Sequence, residues 1–229
     1  MFFNEEASGY PLANIISEYK FQNNTLDTVG SNDGTPTALT YTAGLVGQTG
    51  VFNGSTGKVV IADNNNLSFI LVPFSVTFLV NFTSTARAFL ISKRKTSSSN
   101  VEYQITYNSG EFTFAIFGGG TNASFMATRH TLTPTLGQWY HIVGTYDGSG
   151  DHTGINLYFN GLNVGTSLLV GTYISMENGL SAISVGKFFD GTANTLNGSM
   201  DCVRIWNKEL SQAEVTEIYN LHNSGLPLI

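Results

Sequence analysis

Short runs of alternating apolar residues, each closed by Gly, Asn, Asp or Ser, follow one another along almost the whole chain. Alternation with period two marks half-buried strands, and the polar stops mark turns. The runs fall at 15–21, 50–52, 58–61, 75–82, 88–93, 101–107, 111–117, 125–128, 139–146, 155–159, 162–168, 182–186 and 198–206. This density of strands beside a single helical stretch predicts an all-β fold. The form expected is a two-sheet antiparallel jelly-roll sandwich with one short C-terminal helix. The segment Leu157-Tyr-Phe-Asn160-Gly161-Leu-Asn-Val164 predicts a hairpin, because Asn-Gly supplies the two positive-φ residues of a type I′ turn. A second hairpin is expected at Tyr107-Asn-Ser-Gly110-Glu111, with Tyr107 paired to Glu111.

The helix is placed by its caps. Ser211 with Glu214 three residues on makes a capping box, and Gly225 supplies the stop. Val215, Ile218, Tyr219 and either Leu221 or His222 form one stripe. About twelve residues are too few to hold a helix alone, so it must lie on the sandwich and serve a structural role.

A length of 229 residues fits one all-β domain, read here as 15–229. Residues 1–14 are set apart as a polar extension whose order would need a neighbouring subunit. The start, Met1-Phe-Phe-Asn-Glu-Glu6, has neither a basic segment nor a long apolar run, so no secretory signal is expected there. Asn53-Gly-Ser55 and Asn197-Gly-Ser199 match the glycosylation sequon, which matters only on a secretory route. The single Cys202 excludes an internal disulfide and reads as an inert core thiol. A net charge of −6 with 11% charged residues argues against nucleic acid, which calls for a basic surface. Arg87, Lys93, Arg94 and Lys95 cluster too sparsely for a phosphate groove and are expected at a solvated hairpin tip. No apolar stretch is long enough for a membrane-spanning helix, so no membrane insertion is expected.

Several motifs in fixed order resemble one family. Tyr19-Lys-Phe21 followed by Leu26-Asp-Thr-Val-Gly30-Ser-Asn32 looks like an opening strand and an Asp-x-x-Gly loop. Gly47-Gln-Thr-Gly-Val-Phe52-Asn-Gly54 resembles a Gly-x-Ala-φ-x-Phe-x-Gly strand and turn, with Thr49 where a small apolar residue is usual. Phe74-Ser-Val-Thr-Phe78 carries Phe78-Leu79 where a Trp is usual. Gly137-Gln-Trp139-Tyr-His141-Ile-Val143-Gly-Thr-Tyr146-Asp-Gly148 and the hairpin after it resemble the family's central Trp strand. Leu196-Asn-Gly-Ser-Met-Asp201-Cys-Val-Arg-Ile-Trp-Asn207, running into the capped helix, resembles its closing signature. Together these resemble laminin-G-like jelly rolls of the concanavalin A-like lectin/glucanase superfamily over about residues 15–223. Such folds host binding, catalysis and assembly alike.

The alternation places Asp201 in phase with Val203 and Ile205, opposite Met200, Cys202 and Arg204. A carboxylate in an apolar register needs backbone donors or a cation. The resemblance implies a structural calcium, with Asp27 and Asp201 as carboxylate ligands and Asn32 and Gly54 offering backbone oxygen. On that reading Asp201→Asn lowers thermal stability.

Catalysis is disfavoured. The family's glucanase branch carries Glu-x-Asp-x-Glu on one strand, and no such run occurs here. Glu102 and Glu111 are the best pair, yet the expected register separates them by roughly 17 Å at ~3.4 Å per residue, beyond the about 5–9.5 Å of glycosidase pairs. Glu209, Glu214 and Glu217 belong to the helix and its approach and read as solvated. His130, His141, His152 and His222 are scattered, and His141 reads as a satisfied sheet histidine. Gly118-Gly-Gly120 lacks the Lys and helix of a phosphate loop and reads as a turn.

Loops 118–124, 147–154 and 188–194 combine aromatic, amide and carboxylate groups, as sugar sites do. The last is the leading candidate, with Phe188, Phe189, Asp190 and Asn194 as ligand-binding residues. Two adjacent aromatics cannot both face a strand's core, so one should be exposed or covered by a partner. The expected function is a non-catalytic, lectin-like module for glycans or a surface polysaccharide. A virion or phage surface or fibre setting fits, with other virion or surface proteins as partners. The alternatives are a capsid or tail decoration or assembly protein without a sugar site, and a divergent glycan hydrolase or lyase.

Overall fold

The computed structural model describes residues 13–95, 100–188 and 193–225. Among them the strands, in chain order, are β1 (Ile15–Tyr19), β2 (Gly34–Thr37), β3 (Thr40–Ala43), β4 (Gln48–Asn53), β5 (Lys58–Ile61), β6 (Phe74–Phe82), β7 (Ala88–Arg94) and β8 (Val101–Asn108). There follow β9 (Glu111–Phe117), β10 (Phe125–Thr131), β11 (Trp139–Tyr146), β12 (Ile155–Phe159), β13 (Leu162–Asn163), β14 (Thr166–Val170), β15 (Ile183–Val185) and β16 (Asn197–Trp206). The helix α1 spans Gln212–Asn223.

These strands form two antiparallel sheets, as the alternation predicts. The first runs β13-β12-β11-β6-β16-β4-β3, with β1 also paired to β16. The second runs β14-β10-β9-β8-β7-β15-β5-β2. Phe52, Phe74, Phe78, Phe82, Tyr103, Phe112, Phe114 and Tyr146 belong to the buried core cluster between the layers. Phe74 meets Tyr103, Phe114 and Tyr146 at ring-centroid distances of 5.2–6.0 Å, within the range of favourable tilted and edge-to-face contacts.

The outer face of the first sheet is also buried. Val215 and Ile218 of α1 join Ile15, Val143, Tyr158, Trp206 and Leu210 in a separate cluster. The capping box is present, with Ser211 and Glu214 each bonded to the other's backbone N–H. His222, not Leu221, completes the buried stripe.

Local corrections have clear physical causes. β2 and β3 were not expected, because their polar sequences, Gly-Thr-Pro-Thr and Thr-Tyr-Thr-Ala, are largely exposed at sheet edges and carry no apolar alternation. The run 162–168 is not one strand: β13 closes the first sheet, β14 opens the second, and Gly165 lies between them. Its Asn160-Gly161 turn has φ of 48° and 83°, as a type I′ turn requires. In the other hairpin Asn108, not Tyr107, faces Glu111, because Ser109 and Gly110 alone form the turn. Lys93 is no solvated hairpin cation. Its buried ammonium donates to Asp63 (2.6 Å), Glu102 (2.6 Å) and the Ser181 carbonyl (2.9 Å).

The largest correction concerns β16. Cys202 has φ of 51°, and the pairing to β6 slips between Asp201 and Arg204. This bulge inserts a residue and reverses the strand's phase. Met200, Val203 and Ile205 therefore pack in the central core, while Cys202 joins Leu79 and Val46 in a separate cluster and Trp206 packs with α1. Asp201 does not share the inward phase of Val203 and Ile205.

Candidate functional site

The four residues implied as calcium ligands are not arranged as a calcium shell. The Asp27 carboxylate accepts backbone N–H bonds from Glu18, Val29, Gly30 and Asn32 at 2.9–3.1 Å, which closes the loop after β1. These bonds hold its pKa below the usual value against the opposing, largest effect of burial. The Asn32 carbonyl is taken by the Tyr19 hydroxyl at 2.6 Å. Gly54, with φ of 72°, turns the chain after β4, and its N–H donates to Leu196. Asp201 is fully buried, accepts from Cys202 N–H at 2.7 Å, and leaves Oδ2 without a hydrogen-bond partner. Among the described residues no group of three or more His, Cys, Asp or Glu is placed to hold a metal ion. An Asp27 carboxylate already taken by four N–H donors does not fit a hard cation that needs six to eight oxygens.

The paired acids do not converge either. Glu102 is buried against Lys93 and accepts from Gly179 N–H at 3.2 Å, and burial raises its pKa while the ammonium offsets part of that effect. Glu111 lies near Arg129 (3.6 Å), one rung farther along β9 than expected, so the acids stand roughly 20 Å apart at ~3.4 Å per residue.

Of the predicted ligand loop, Phe188 packs within the chain. Its ring lies 4.8 Å from that of Phe89, with the Arg94 guanidinium 5.0 Å from its centroid. Asn194, at φ of 62°, accepts from Phe89 N–H through its carbonyl and so pins the loop to β7. Phe189 and Asp190 lie outside the described residues.

A better-formed site lies on the outer face of the first sheet, beneath the C-terminal half of α1. A cavity of about 230 Å³ is lined by Leu45, Leu79, Gln138, Trp139, His141, Asn160, Tyr219, His222 and Asn223. Trp139 and His141 come from alternate positions of β11, Asn160 from the type I′ turn, and Tyr219 and His222 from one face of α1. Both imidazoles are buried. Neither ring nitrogen of His141 has a hydrogen-bond partner, and His222 Nδ1 has none. Unpaired polar atoms in such a place cost about 1–3 kcal/mol each, so the arrangement favours a bound species that supplies both a donor and an acceptor. His141 is thus not the satisfied sheet histidine expected.

The rings are fixed by their neighbours. His141 stacks on Tyr219 (6.2 Å, 18°) and meets His222 edge-on (5.3 Å). His141 N–H donates to Asn160 Oδ1 at 2.9 Å, which orients that amide at the rim. Burial holds the imidazoles neutral, pushing His141 down to about 3 and His222 to about 2. Nearby Arg204 adds to both shifts, and His141 adds to that of His222. A neutral imidazole carries one N–H donor and one acceptor nitrogen, the same pair a sugar hydroxyl presents. The sequence alone does not reveal this site because its parts lie on five separated segments. Only the Trp139-x-His141 spacing and the Tyr219/His222 stripe signalled it.

Comparison with solved structures finds the same architecture at low identity. Domain 4 of AbnA, a GH43 extracellular arabinanase from Geobacillus stearothermophilus, solved with arabinotriose, superposes with a TM-score of 0.70 at 18% identity. The match covers 90% of this chain and 98% of that one. The binding domain of Paraclostridial Mosquitocidal Protein 1 gives 0.69 at 17%, covering 90% of this chain and 52% of its own. The botulinum neurotoxin serotype G binding domain gives 0.70 at 16%, covering 94% and 54%, so this chain spans about half of either toxin domain. No curated protein matches. The laminin-G-type family model described as the concanavalin A-like lectin/glucanases superfamily matches residues 53–216. That match takes in more than half of the residues, and the chain belongs to the concanavalin A-like lectin/glucanases superfamily.

Proposed function

We propose that this protein is a non-catalytic carbohydrate-binding module whose site is the cleft between β11, the Asn160-Gly161 turn and α1. The observation that carries this reading is the pair of buried imidazoles with unpartnered nitrogens at a cavity walled by Trp139 and Tyr219. Aromatic walls favour the apolar face of a sugar ring, and imidazole and amide groups match its hydroxyls. The arabinotriose-bound arabinanase domain of the same fold supports a sugar as the ligand class. The wide separation of Glu102 and Glu111 supports binding without hydrolysis.

Calorimetric titration of the native protein with arabinotriose and a panel of other oligosaccharides tests the proposal. Saturable binding lost in Trp139→Ala and retained in Phe188→Ala is expected, without turnover. Loss in Phe188→Ala with retention in Trp139→Ala would move the site to the 188–194 loop. Absence of heat with every oligosaccharide would overturn the proposal.

A second reading, docking to protein, draws on exposed Ile70, Leu71, Val72, Ile174 and Leu180. Leu71 and Ile174 flank Gly150, so loops from both sheets meet there. Exposed apolar patches of this kind mark contact surfaces.

A further inference from the structure

A second cavity, of about 290 Å³, adjoins the first and is lined by Lys20, Gln22, Val46, Gly47, Cys202, Arg204 and Gly225. The same two segments border both spaces. Leu45 and His222 line the first, while Val46, Gly47 and Gly225 line the second. His222 Nε2 lies 3.2 Å from Arg204 Nη1, so an imidazole and a guanidinium form the partition. The two spaces are neighbouring lobes under the end of α1, one of neutral hydrogen-bonding character and the other basic.

We propose that the glycan bound here is acidic, with its carboxylate seated in the basic lobe against Lys20 and Arg204 and its ring between Trp139 and Tyr219. This rests on the carbohydrate reading above and names the class of sugar.

The charge balance of the lobe supports it. Arg204 Nε bonds Glu18 Oε1 at 2.7 Å, and Lys20 Nζ lies 3.3 Å from Glu18 Oε2. Two cations thus share one carboxylate, leaving one positive charge in excess. Asp201, which also interacts with Arg204, holds its proton up to about 7 because it is buried, so it does not fully cancel that excess. The helix's last carbonyls do not compete for the cations. Those of Asn220, Leu221 and His222 accept from the N–H groups of Ser224 and Gly225. On a chain of net charge −6, a positive cleft is the exception and selects for an anion. One excess charge matches a monoanion, and a planar guanidinium matches a carboxylate.

The test uses matched ligand pairs on the native protein by calorimetry at low salt. One pair is a glucuronate-terminated oligosaccharide and its carboxyl-reduced alcohol. The other is sialyllactose and lactose. In at least one pair the acid should bind about tenfold tighter or more, and added salt should shrink the gap. Whichever pair responds identifies a uronate or a sialate as the source. Lys20→Gln, at a partly exposed position, should narrow the gap severalfold. Equal affinity of acid and neutral partner in both pairs overturns the acidic assignment while leaving carbohydrate binding intact. A gap that Lys20→Gln leaves unchanged also overturns it. Absence of binding in every arm overturns the carbohydrate reading itself.

Discussion

Replacing Asp201 by Asn separates a cation site from a buried, under-satisfied acid, and the structure reverses the sign implied by the family resemblance. A calcium ligand would lose stability on substitution. In the fold, Asp201 is fully buried, has one oxygen without a hydrogen-bond partner, and has the Asp27 carboxylate committed elsewhere. Burial pushes its pKa from the ordinary 3.8 up to about 7. The native state therefore keeps a proton that the unfolded chain releases between those values. The stability this provides is full below 3.8 and lost as pH rises through 7. At about 1.4 kcal/mol per pH unit the gap corresponds to about 4 kcal/mol, a ceiling because surroundings relax around an ionised carboxylate. Asn carries no such penalty. A gain of about 2 kcal/mol at pH 8 reads as about 4–8 °C in Tm for a chain of this size. The assay is a pair of melting curves from pH 5 to 8, with and without EDTA or calcium. The difference between variant and wild type should grow with pH, level off above about 7 and ignore both additions. An Asn variant less stable at pH 8, or a wild type that calcium stabilises and the variant does not, would refute the reasoning.

Lys93→Met should cost about 3–5 kcal/mol in urea unfolding, since it leaves the buried Glu102 carboxylate without its ammonium. Adding Glu102→Gln should recover much of that loss. His141 and His222 stay neutral down to about 3 and 2, so below about 6.5 the unfolded chain takes up protons that the native state refuses. Stability should then fall with acid, less steeply in a His141→Gln/His222→Gln variant under the same titration. Gly186→Ala should lower stability by about 1–3 kcal/mol through overpacking, because a Cβ there would lie 2.2 Å from the Phe52 ring and φ is 79°. The Cys202 thiol, buried and pushed up to about 12, should resist thiol reagents until the protein unfolds.

What the sequence disclosed follows from how locally each feature is encoded. The type I′ turn at Asn160-Gly161 and the capping box at Ser211 and Glu214 are specified within a few residues, and both form as read. β2 and β3 are specified only by the strands beside them, so no periodicity announced them. The orientation of Asp201 was misread because strict alternation assumes an unbroken ladder. The bulge at Cys202 depends on pairing to β6, which no local pattern records. The candidate cleft was hidden for a related reason. Trp139, Asn160 and Tyr219 each have an ordinary structural explanation alone, and only the packing of α1 brings them around one space.

That convergence also accounts for how a jelly roll can acquire a binding site without disturbing its core. The inward residues of β6, β11 and β16 are committed to the space between the sheets, where any change of volume is felt. Their outward residues answer to a lighter constraint, the fit of one short helix and the 44–47 loop. At the N-terminal end of α1 that constraint is met by apolar contacts among Trp206, Leu210, Val215 and Ile218. Toward its C-terminal end the packing gives way to His222, Arg204 and Glu18, and cavities open on either side of them. A helix anchored at one end and polar beneath the other presents a rigid cleft whose lining can vary while the sandwich stays fixed. The bulge at Cys202 contributes directly, because the extra residue sits on the outer face with Leu79 and Val46 while Met200 and Val203 on either side of it stay in the central core. Deleting Cys202 would leave Met200, Val203 and Ile205 inward and Asp201 opposite Leu79, so the change would fall on the outer face alone, where Cys202 packs with Leu79 and Val46. The distortion in β16 therefore adds a wall to the second cavity, which Cys202 and Val46 both line, without changing which residues fill the core.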